Sequence, residues 1–181
     1  VRTLTAVAAP HPLAVRSAFV RDLRGQGRAT AGYALAFQVP RRPERDLCRD
    51  DGARVGAIMR AWAGPGWAAT DDFAAAVARC RSAIAVPGVA HCAMEYYRWA
   101  LRSQFRGDGR RYAAAVSRPV EAPVLQIHGE LDPCLLPSTA VRSARWAAGE
   151  FRTELLPGVG HFPHQERPDA TTDLLAGFLT R

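Results

Sequence analysis

The chain has 181 residues, a formal net charge of +7 at pH 7, 48% hydrophobic residues and 23% charged residues. This length allows one domain with a substantial core, and the composition is that of an ordinary globular protein. No apolar run approaches the roughly 20 residues that span a bilayer, and no basic region followed by an apolar stretch indicates a signal peptide. We therefore expect a cytoplasmic protein without a membrane partner.

Arginine supplies all 24 basic residues, and lysine and asparagine do not occur. The arginines are scattered and form no nucleic-acid-binding motif, so we expect no nucleic-acid partner. The four cysteines, Cys48, Cys80, Cys92 and Cys134, have neither a C-x-x-C spacing nor a histidine at a zinc-ligand spacing. This spacing indicates that the cysteines are reduced thiols. We expect no metal and no organic cofactor. An oligomer is compatible with the sequence, which carries no signal for its size.

The first predicted element is a buried strand over residues 1–8, which ends before Pro10 and Pro12. From residue 13 to about residue 111 the spacing is helical, and no strand is predicted. The predicted helices cover residues 13–23, 29–37, 44–63 with a weak point at Gly52, 70–84 and 87–105. We place Thr70 or Asp71 at a helix N-cap and Pro87 in a first helical turn. The Gly-Asp-Gly segment at residues 107–109 predicts a turn.

The rest of the chain alternates between strands and helices. Strands are predicted over residues 124–129 and 151–156, and helices over 138–148 and 168–179. The helical stretch before them is too long for a simple crossover between parallel strands, so we interpret it as a lid above their carboxyl ends. The predicted fold class is α/β, a parallel sheet flanked by helices with a large all-helical lid. We assign residues 1–12 to a core strand and its exit loop, 13–111 to the lid and 112–181 to the C-terminal part of the core.

Two polar side chains follow the two late strands. Asp132 comes after the apolar segment VLQIHG, with Pro133 beside it, and His161 lies in the segment GVGHF. A carboxylate in such a turn accepts a hydrogen bond from an imidazole Nδ1–H, and a histidine held in this way acts as a general base. We predict that Asp132 and His161 form the acid–base pair of a hydrolase. His164 is the weaker candidate for the base, and His128, within the strand, is interpreted as a core or hinge residue.

The nucleophile expected upstream of this pair is missing from the sequence. No G-x-S-x-G segment occurs, and none of the four cysteines sits at a strand-to-helix elbow. The glycine-rich segment that would form an oxyanion hole is missing too. Residue 1 is Val and opens directly into a strand, so we expect a truncated chain that is inactive alone and poorly soluble or dependent on a partner.

Two segments of the predicted lid carry a family resemblance. The segment YALAFQVP at residues 33–40 resembles Y-x-L-x-F-Q-x-P, and EYYR at residues 95–98 resembles N-W-Y-R, both from the lids of epoxide hydrolases. Together with the segments around Asp132 and His161, they make the chain similar to the C-terminal part of an α/β-hydrolase of the epoxide-hydrolase branch, over nearly its whole length. Glu95 and Tyr96 depart from the second motif, where Asn and Trp are usual.

The resemblance implies that Tyr33 and Tyr97 are the two lid tyrosines that point at the epoxide oxygen. Opening an epoxide places negative charge on this oxygen, which two phenol donors stabilise and protonate. Tyr96 and Tyr97 are adjacent on a predicted helix and point about 100° apart, so only one of them faces the cleft. Phe162, beside the base, is a candidate pocket residue, whereas the lid tryptophans, Trp62 among them, are interpreted as packing residues.

The resemblance also implies a reaction. It implies an epoxide hydrolase that forms a diol through an alkyl-enzyme ester, with an upstream Asp as nucleophile and a small apolar substrate. A haloalkane or haloacid dehalogenase would share this nucleophile but would bind halide through tryptophans or a histidine. A serine esterase would share Asp132 and His161. A non-catalytic remnant that keeps the pocket shape is the alternative from a different class of protein.

Overall fold

The computed structural model describes residues 1–180, and its centre is a parallel sheet. The strands are β1 (Leu4–Val7), β2 (Val124–Gly129) and β3 (Phe151–Leu156), in the spatial order β1-β2-β3. Val124 is in register with Leu4 on one side and with Phe151 on the other. Every residue of β2 is buried, which is typical of a central parallel strand covered on both faces.

The connection from β1 to β2 is almost entirely helical, and we call residues 12–116 the helical insertion. Its helices are α1 (Pro12–Arg21), α2 (Arg28–Ala36), α3 (Arg42–Cys48), α4 (Ala53–Trp62), α5 (Pro65–Ala68), α6 (Asp71–Ile84), α7 (Val89–Arg102) and α8 (Gly107–Val116). A π-helical turn at Leu23–Gly27 joins α1 to α2. Three helices follow β2, namely α9 (Pro137–Arg142), α10 (Pro163–Glu166) and α11 (Pro168–Leu179).

The predicted α/β class, with a parallel sheet and a large helical insertion, is confirmed. Strands β2 and β3 and helix α11 have the predicted bounds. Thr70 caps α6, because its hydroxyl accepts a hydrogen bond from the amide of Phe73. Local signals were sufficient for these elements.

Several local predictions are wrong. Pro87 lies outside α7, because Gly88 adopts a left-handed conformation with φ of 89° at the N-cap. The helix predicted over residues 44–63 is two helices, α3 and α4, but the break falls at the predicted weak point, in a 3₁₀ turn where Asp51 and Gly52 have φ of 51° and 73°. The predicted turn at residues 107–109 is the first turn of α8, packed so closely that a Cβ on Gly109 would lie 1.9 Å from a backbone oxygen. The predicted helix over 138–148 ends early as α9, followed by a 3₁₀ turn at Ser143–Trp146.

The sheet topology brings three chain segments to one edge. Because parallel strands all end at the same edge, the helical insertion leaves after β1, Asp132 follows β2, and His161 follows β3 there. Beneath them, Leu125 and Ile127 of β2 pack against Phe178 of α11. This apolar layer fixes the strands whose ends carry the two polar side chains.

Two apolar clusters hold the helical insertion together. One contains Met59, Trp67, Phe73 and Ala76, and the other contains Phe37, Leu47 and Met94, with Tyr33 and Tyr97 packed against it. Within residues 1–180 no single helix is long and apolar enough to cross a membrane. Helix α6 and the segment Val89–Phe105 reach that length and apolar content only when taken together, and they are bent by 93°.

Candidate active site

The carboxylate of Asp132 and the imidazole of His161 are in direct contact. Their Oδ2 and Nδ1 atoms are 2.8 Å apart, and the Asp132 side chain is fully buried while the His161 ring is partly exposed. An imidazole that donates its Nδ1 proton to a carboxylate keeps Nε2 free as a base. The two residues predicted from separate segments of the sequence therefore meet in the geometry of a charge-relay pair.

The other oxygen of Asp132 is held by the backbone. Its Oδ1 accepts hydrogen bonds from the amides of Cys134 at 2.8 Å and Leu135 at 3.0 Å. Burial raises the pKa of Asp132, but hydrogen bonds from His128 and His161 outweigh burial and lower this pKa to about 2. The carboxylate is therefore ionised throughout the neutral range and acts as an acceptor only.

Glu166 of α10 fixes the loop that carries His161. Its Oε2 accepts hydrogen bonds from the amide of Gly64 at 2.9 Å and from that of Gly160 at 2.8 Å. Its Oε1 accepts from the amide of Phe162 at 3.0 Å. Because Gly64 belongs to the helical insertion, one carboxylate ties the insertion to the loop of His161.

Close backbone packing surrounds this loop. The amide of His161 donates to the carbonyl oxygen of Trp62 at 2.8 Å. A Cβ on Gly160 would lie 2.4 Å from the same carbonyl oxygen, and a Cβ on Gly129 would lie 1.9 Å from that of Gly160. A side chain at Gly160 or Gly129 would thus clash with neighbouring backbone atoms. Gly158 has φ of 72°, a left-handed conformation that glycine adopts without strain.

The phenols of Tyr33 on α2 and Tyr97 on α7 lie side by side. Their ring centroids are 6.0 Å apart, and the ring planes meet at 79°. Burial is the main cause that raises the pKa of both phenols, so both are hydrogen-bond donors at neutral pH. The indole of Trp62 lies between Tyr33 and His161, with ring centroids 5.6 Å from Tyr33 and 5.4 Å from His161.

Cys134 lies between Asp132 and Tyr33. Its Sγ is 3.5 Å from the hydroxyl oxygen of Tyr33, and its amide donates to Asp132. Burial raises the pKa of the Cys134 thiol to about 12, so the group is a neutral thiol at physiological pH. The side chain is therefore a weak donor toward Tyr33 rather than a nucleophile.

Arg98 fixes the two tyrosine-bearing helices relative to each other. The side chain is 4% exposed, and its guanidinium donates to the carbonyl oxygens of Phe37 and Val39, both at 3.0 Å. It also pairs with Glu44, at 2.5 and 2.9 Å, and with Glu95 at 2.9 Å. The Glu95 that departs from the lid motif thus still bonds to the arginine of that motif.

Gln26, in the π-helical turn, joins the helical insertion to the loop of Asp132. The side chain is fully buried, and its Nε2 donates to the carbonyl oxygen of Cys134 at 2.9 Å and to Thr30 at 2.7 Å. Its Oε1 accepts from the amide of Leu136 and the hydroxyl of Thr139, both at 2.9 Å. All four hydrogen-bonding positions of the amide are therefore filled.

Sequence reasoning missed several of these contacts. Trp62, interpreted as a packing residue, contacts both Tyr33 and the proposed base. The weaker candidate, His164, is exposed and pairs with its neighbour Gln165 at 3.3 Å. Within residues 1–180 no three His, Cys, Asp or Glu side chains converge as a metal site would require.

Comparison with known proteins supports the fold assignment. No protein-family model matches the chain. The Cif epoxide hydrolase from Acinetobacter nosocomialis superposes with a TM-score of 0.74 and 17% identity, over 99% of this chain and 54% of that one. ALR0039 of Nostoc sp PCC 7120, which has been assigned as an α/β hydrolase, gives a TM-score of 0.77 and 20% identity, over 100% of this chain and 58% of that one. The chain therefore has the α/β-hydrolase fold.

A sequence comparison points in the same direction over a shorter stretch. Epoxide hydrolase A from Mycobacterium tuberculosis is 37% identical over 68 residues, which are 38% of this chain and 21% of that protein. The chain thus spans about half the length of the two solved structures, and its sequence match covers a fifth of this relative. Because one fold hosts many reactions, the reaction has to be argued from the site.

Proposed function

We propose that this chain forms the base, acid and phenol part of an α/β-hydrolase that converts a small apolar epoxide to a diol. One observation carries the proposal: Tyr33 and Tyr97 stand together on two helices of the insertion, and Trp62 joins them to the His161–Asp132 pair. Paired phenol donors suit an oxygen on which negative charge develops. The similarity to epoxide hydrolases adds support.

The proposed reaction has two steps. In the first, a carboxylate attacks an epoxide carbon, the C–O bond breaks, and a phenol of Tyr33 or Tyr97 gives its proton to the alkoxide. In the second, Nε2 of His161 removes a proton from water, and the hydroxide attacks the ester carbonyl. The bond between the carbonyl carbon and the oxygen attached to the substrate breaks, and the departing alkoxide takes the proton of the carboxylic acid just formed, which gives the diol and regenerates the carboxylate. The proton on His161 returns to the phenolate. Asp132 stabilises the imidazolium between these events.

The attacking carboxylate must come from elsewhere. Within residues 1–180, the carboxylate that contacts His161 is that of Asp132, and backbone amides and imidazoles already occupy both of its oxygens. We assign the nucleophile to a polypeptide segment outside these residues. The chain by itself should then form no diol from styrene oxide, and diol production above the uncatalysed rate by the purified 181-residue chain would contradict this assignment.

We further propose that the helical insertion is a lid over the pair. The phenols reach the site from α2 and α7, both in the insertion, while acid and base come from the ends of β2 and β3. A haloalkane dehalogenase would bind halide through tryptophans, and Trp62 is the indole that contacts the proposed base, but two phenols, Tyr33 and Tyr97, stand together next to it. This observation favours an epoxide over a halide.

The binding half of the proposal can be tested without the nucleophile. Phenylacetamide is a small apolar amide whose carbonyl oxygen accepts two hydrogen bonds, as an epoxide oxygen would. We expect it to bind the chain in a calorimetric titration, and Tyr33→Phe and Tyr97→Phe each to weaken binding by roughly tenfold, since each removes one hydrogen bond. Tyr96→Phe is the matched control, because this neighbouring phenol is 71% exposed.

Two results would overturn the phenol assignment. One is the absence of any binding by the wild-type chain under these conditions. The other is equal affinity in the wild type and both buried-phenol variants, which would mean that Tyr33 and Tyr97 do not touch the ligand oxygen.

A further inference from the structure

His128 is the second imidazole at Asp132, and the reaction described above does not use it. The ring sits on β2 with no exposed surface. Its Nε2 is 2.6 Å from the carbonyl oxygen of Leu135 and 3.1 Å from Oδ2 of Asp132. The same Oδ2 accepts the Nδ1–H of His161. Asp132 therefore lies between two histidines.

The neighbours of His128 determine its tautomer. A carbonyl oxygen can only accept, and the Asp132 carboxylate is ionised, so both groups near Nε2 are acceptors. Nε2 must carry a proton. The other ring nitrogen, Nδ1, is buried and has no hydrogen-bond partner among residues 1–180. In the neutral ring Nδ1 is then a buried, unprotonated nitrogen without a hydrogen-bond partner among these residues.

This unpaired nitrogen argues that packing alone does not explain the imidazole. Leaving a buried polar atom unsatisfied is unfavourable, and an apolar ring in the same place would avoid it. Val124, buried on the same face of β2 as His128, shows that this face accommodates an apolar side chain. What the imidazole adds is the N–H between Leu135 and Asp132.

His128 and Leu135 together contact both oxygens of the Asp132 carboxylate. Leu135 donates its amide to Oδ1 of Asp132 and offers its carbonyl oxygen to His128, whose Nε2 lies against Oδ2. Leu135 thereby orients both oxygens of the Asp132 carboxylate. It contacts Oδ1 directly through its amide, and it contacts Oδ2 indirectly through His128. Rotation of the carboxylate would separate Oδ2 from His161 and from His128 at once.

We propose that His128 is a positioning residue, which uses its Nε2–H to hold the Asp132 carboxylate in the plane that receives the Nδ1–H of His161. This rests on the proposed roles of Asp132 and His161. It goes beyond the core or hinge interpretation drawn from the sequence, because the group acts through a particular atom. A donor at the Nε2 position is required, and the remainder of the ring is not.

Nuclear magnetic resonance of ring-labelled histidine tests this without any turnover, so its outcome is separate from that of the reaction itself. In the wild-type chain we expect His128 to be protonated at Nε2 and bare at Nδ1, and the Nδ1 proton of His161 to give a downfield, exchange-protected resonance. His128→Gln retains an N–H near the Nε2 position and should retain the His161 resonance. His128→Phe retains the ring shape but no donor and should lose it.

The control is Gln126→Leu, which removes another buried polar side chain from β2 without touching Asp132. It should keep the His161 resonance even if it lowers the melting temperature as much as His128→Phe does. Loss of the resonance in both variants, or its survival in His128→Phe, would overturn the proposal. If His128→Phe does not fold, the wild-type tautomer still decides, because a proton on Nδ1 and a bare Nε2 are incompatible with the assigned role.

Discussion

The guanidinium of Arg98 donates through Nε to the carbonyl oxygen of Phe37 at 3.0 Å, across the gap between the two tyrosine-bearing helices. Arg98 directly follows Tyr97 on α7, and Phe37 is the C-cap residue of α2, which carries Tyr33. The arginine of the EYYR segment therefore sets the distance between the two phenols. The EYYR segment thus places a phenol, that of Tyr97, directly before the arginine that positions it, Arg98.

Replacing Arg98 with leucine should lower the free energy of unfolding by about 3 kcal/mol. Breaking a buried ion pair from one side leaves the other charge without a partner, and Glu44 would be that charge. Urea denaturation measures the loss. Arg102→Ala is the matched control, because this exposed arginine donates to Gln38 from the same helix and should change stability by only about 0.5 kcal/mol. Similar losses in the two variants would show that Arg98 has no special role.

The depressed pKa of Asp132 makes stability depend on pH in acid. The folded-state pKa, about 2, lies below the ordinary 3.8, so the ionised carboxylate stabilises the fold fully above about pH 4. That contribution, about 2 kcal/mol, is lost as the pH falls toward 2. Asp132→Asn should be less stable than the wild type at pH 7, and the gap should close between pH 4 and pH 2. A gap in unfolding free energy that stays constant over this range would contradict the assignment.

Glu166→Gln should lower the unfolding free energy by about 2 kcal/mol, although the two side chains have nearly the same shape. Both carboxylate oxygens accept from backbone amides, so an NH₂ group in either place would face a donor. Thermal and urea denaturation give the value. Glu130→Gln, at an exposed glutamate, should change stability little. An equal loss of stability in the two variants would contradict the assignment of Glu166 as the residue that fixes the His161 loop.

The exposed and buried cysteines should react at different rates with a thiol reagent such as Ellman's reagent. Cys48 and Cys92 are exposed and should react within the mixing time, whereas Cys134 is buried and held as a thiol with a pKa of about 12. Cys134 should react only after denaturant is added. Cys134→Ser should remove that late thiol and leave the fast ones unchanged. Rapid modification of Cys134 in the native chain would mean that the thiol is open to solvent.

Much of the fold could be predicted because its signals are local. The apolar run of β2, the turn after it and the Thr70 cap each depend on a few neighbouring residues. The predictions for Pro87 and for residues 107–109 failed because two glycines, Gly88 and Gly109, have roles that the residue type alone does not reveal. One supplies a left-handed N-cap, and the other makes room for the backbone of Ser103.

The candidate site was predictable only in part. Asp132 and His161 follow strands of one parallel sheet, which is visible from the sequence, and Tyr33 and Tyr97 lie in segments with a family resemblance. The contacts of Gln26 and His128 were not visible, because they depend on residues that the fold brings together. Gln26 bonds to residues more than 100 positions away. No periodicity or motif specifies such a pairing.

The anchoring of the helical insertion restricts how ligands reach the site. Gln26 attaches it to the acid loop, and Gly64 and the Trp62 carbonyl attach it to the loop of the base. A flap-like swing of the entire insertion would have to break all of these bonds and would pull on the loops of Asp132 and His161. On the proposed function, we expect a ligand to pass instead through small separations between neighbouring helices, while the loops of Asp132 and His161 remain in place.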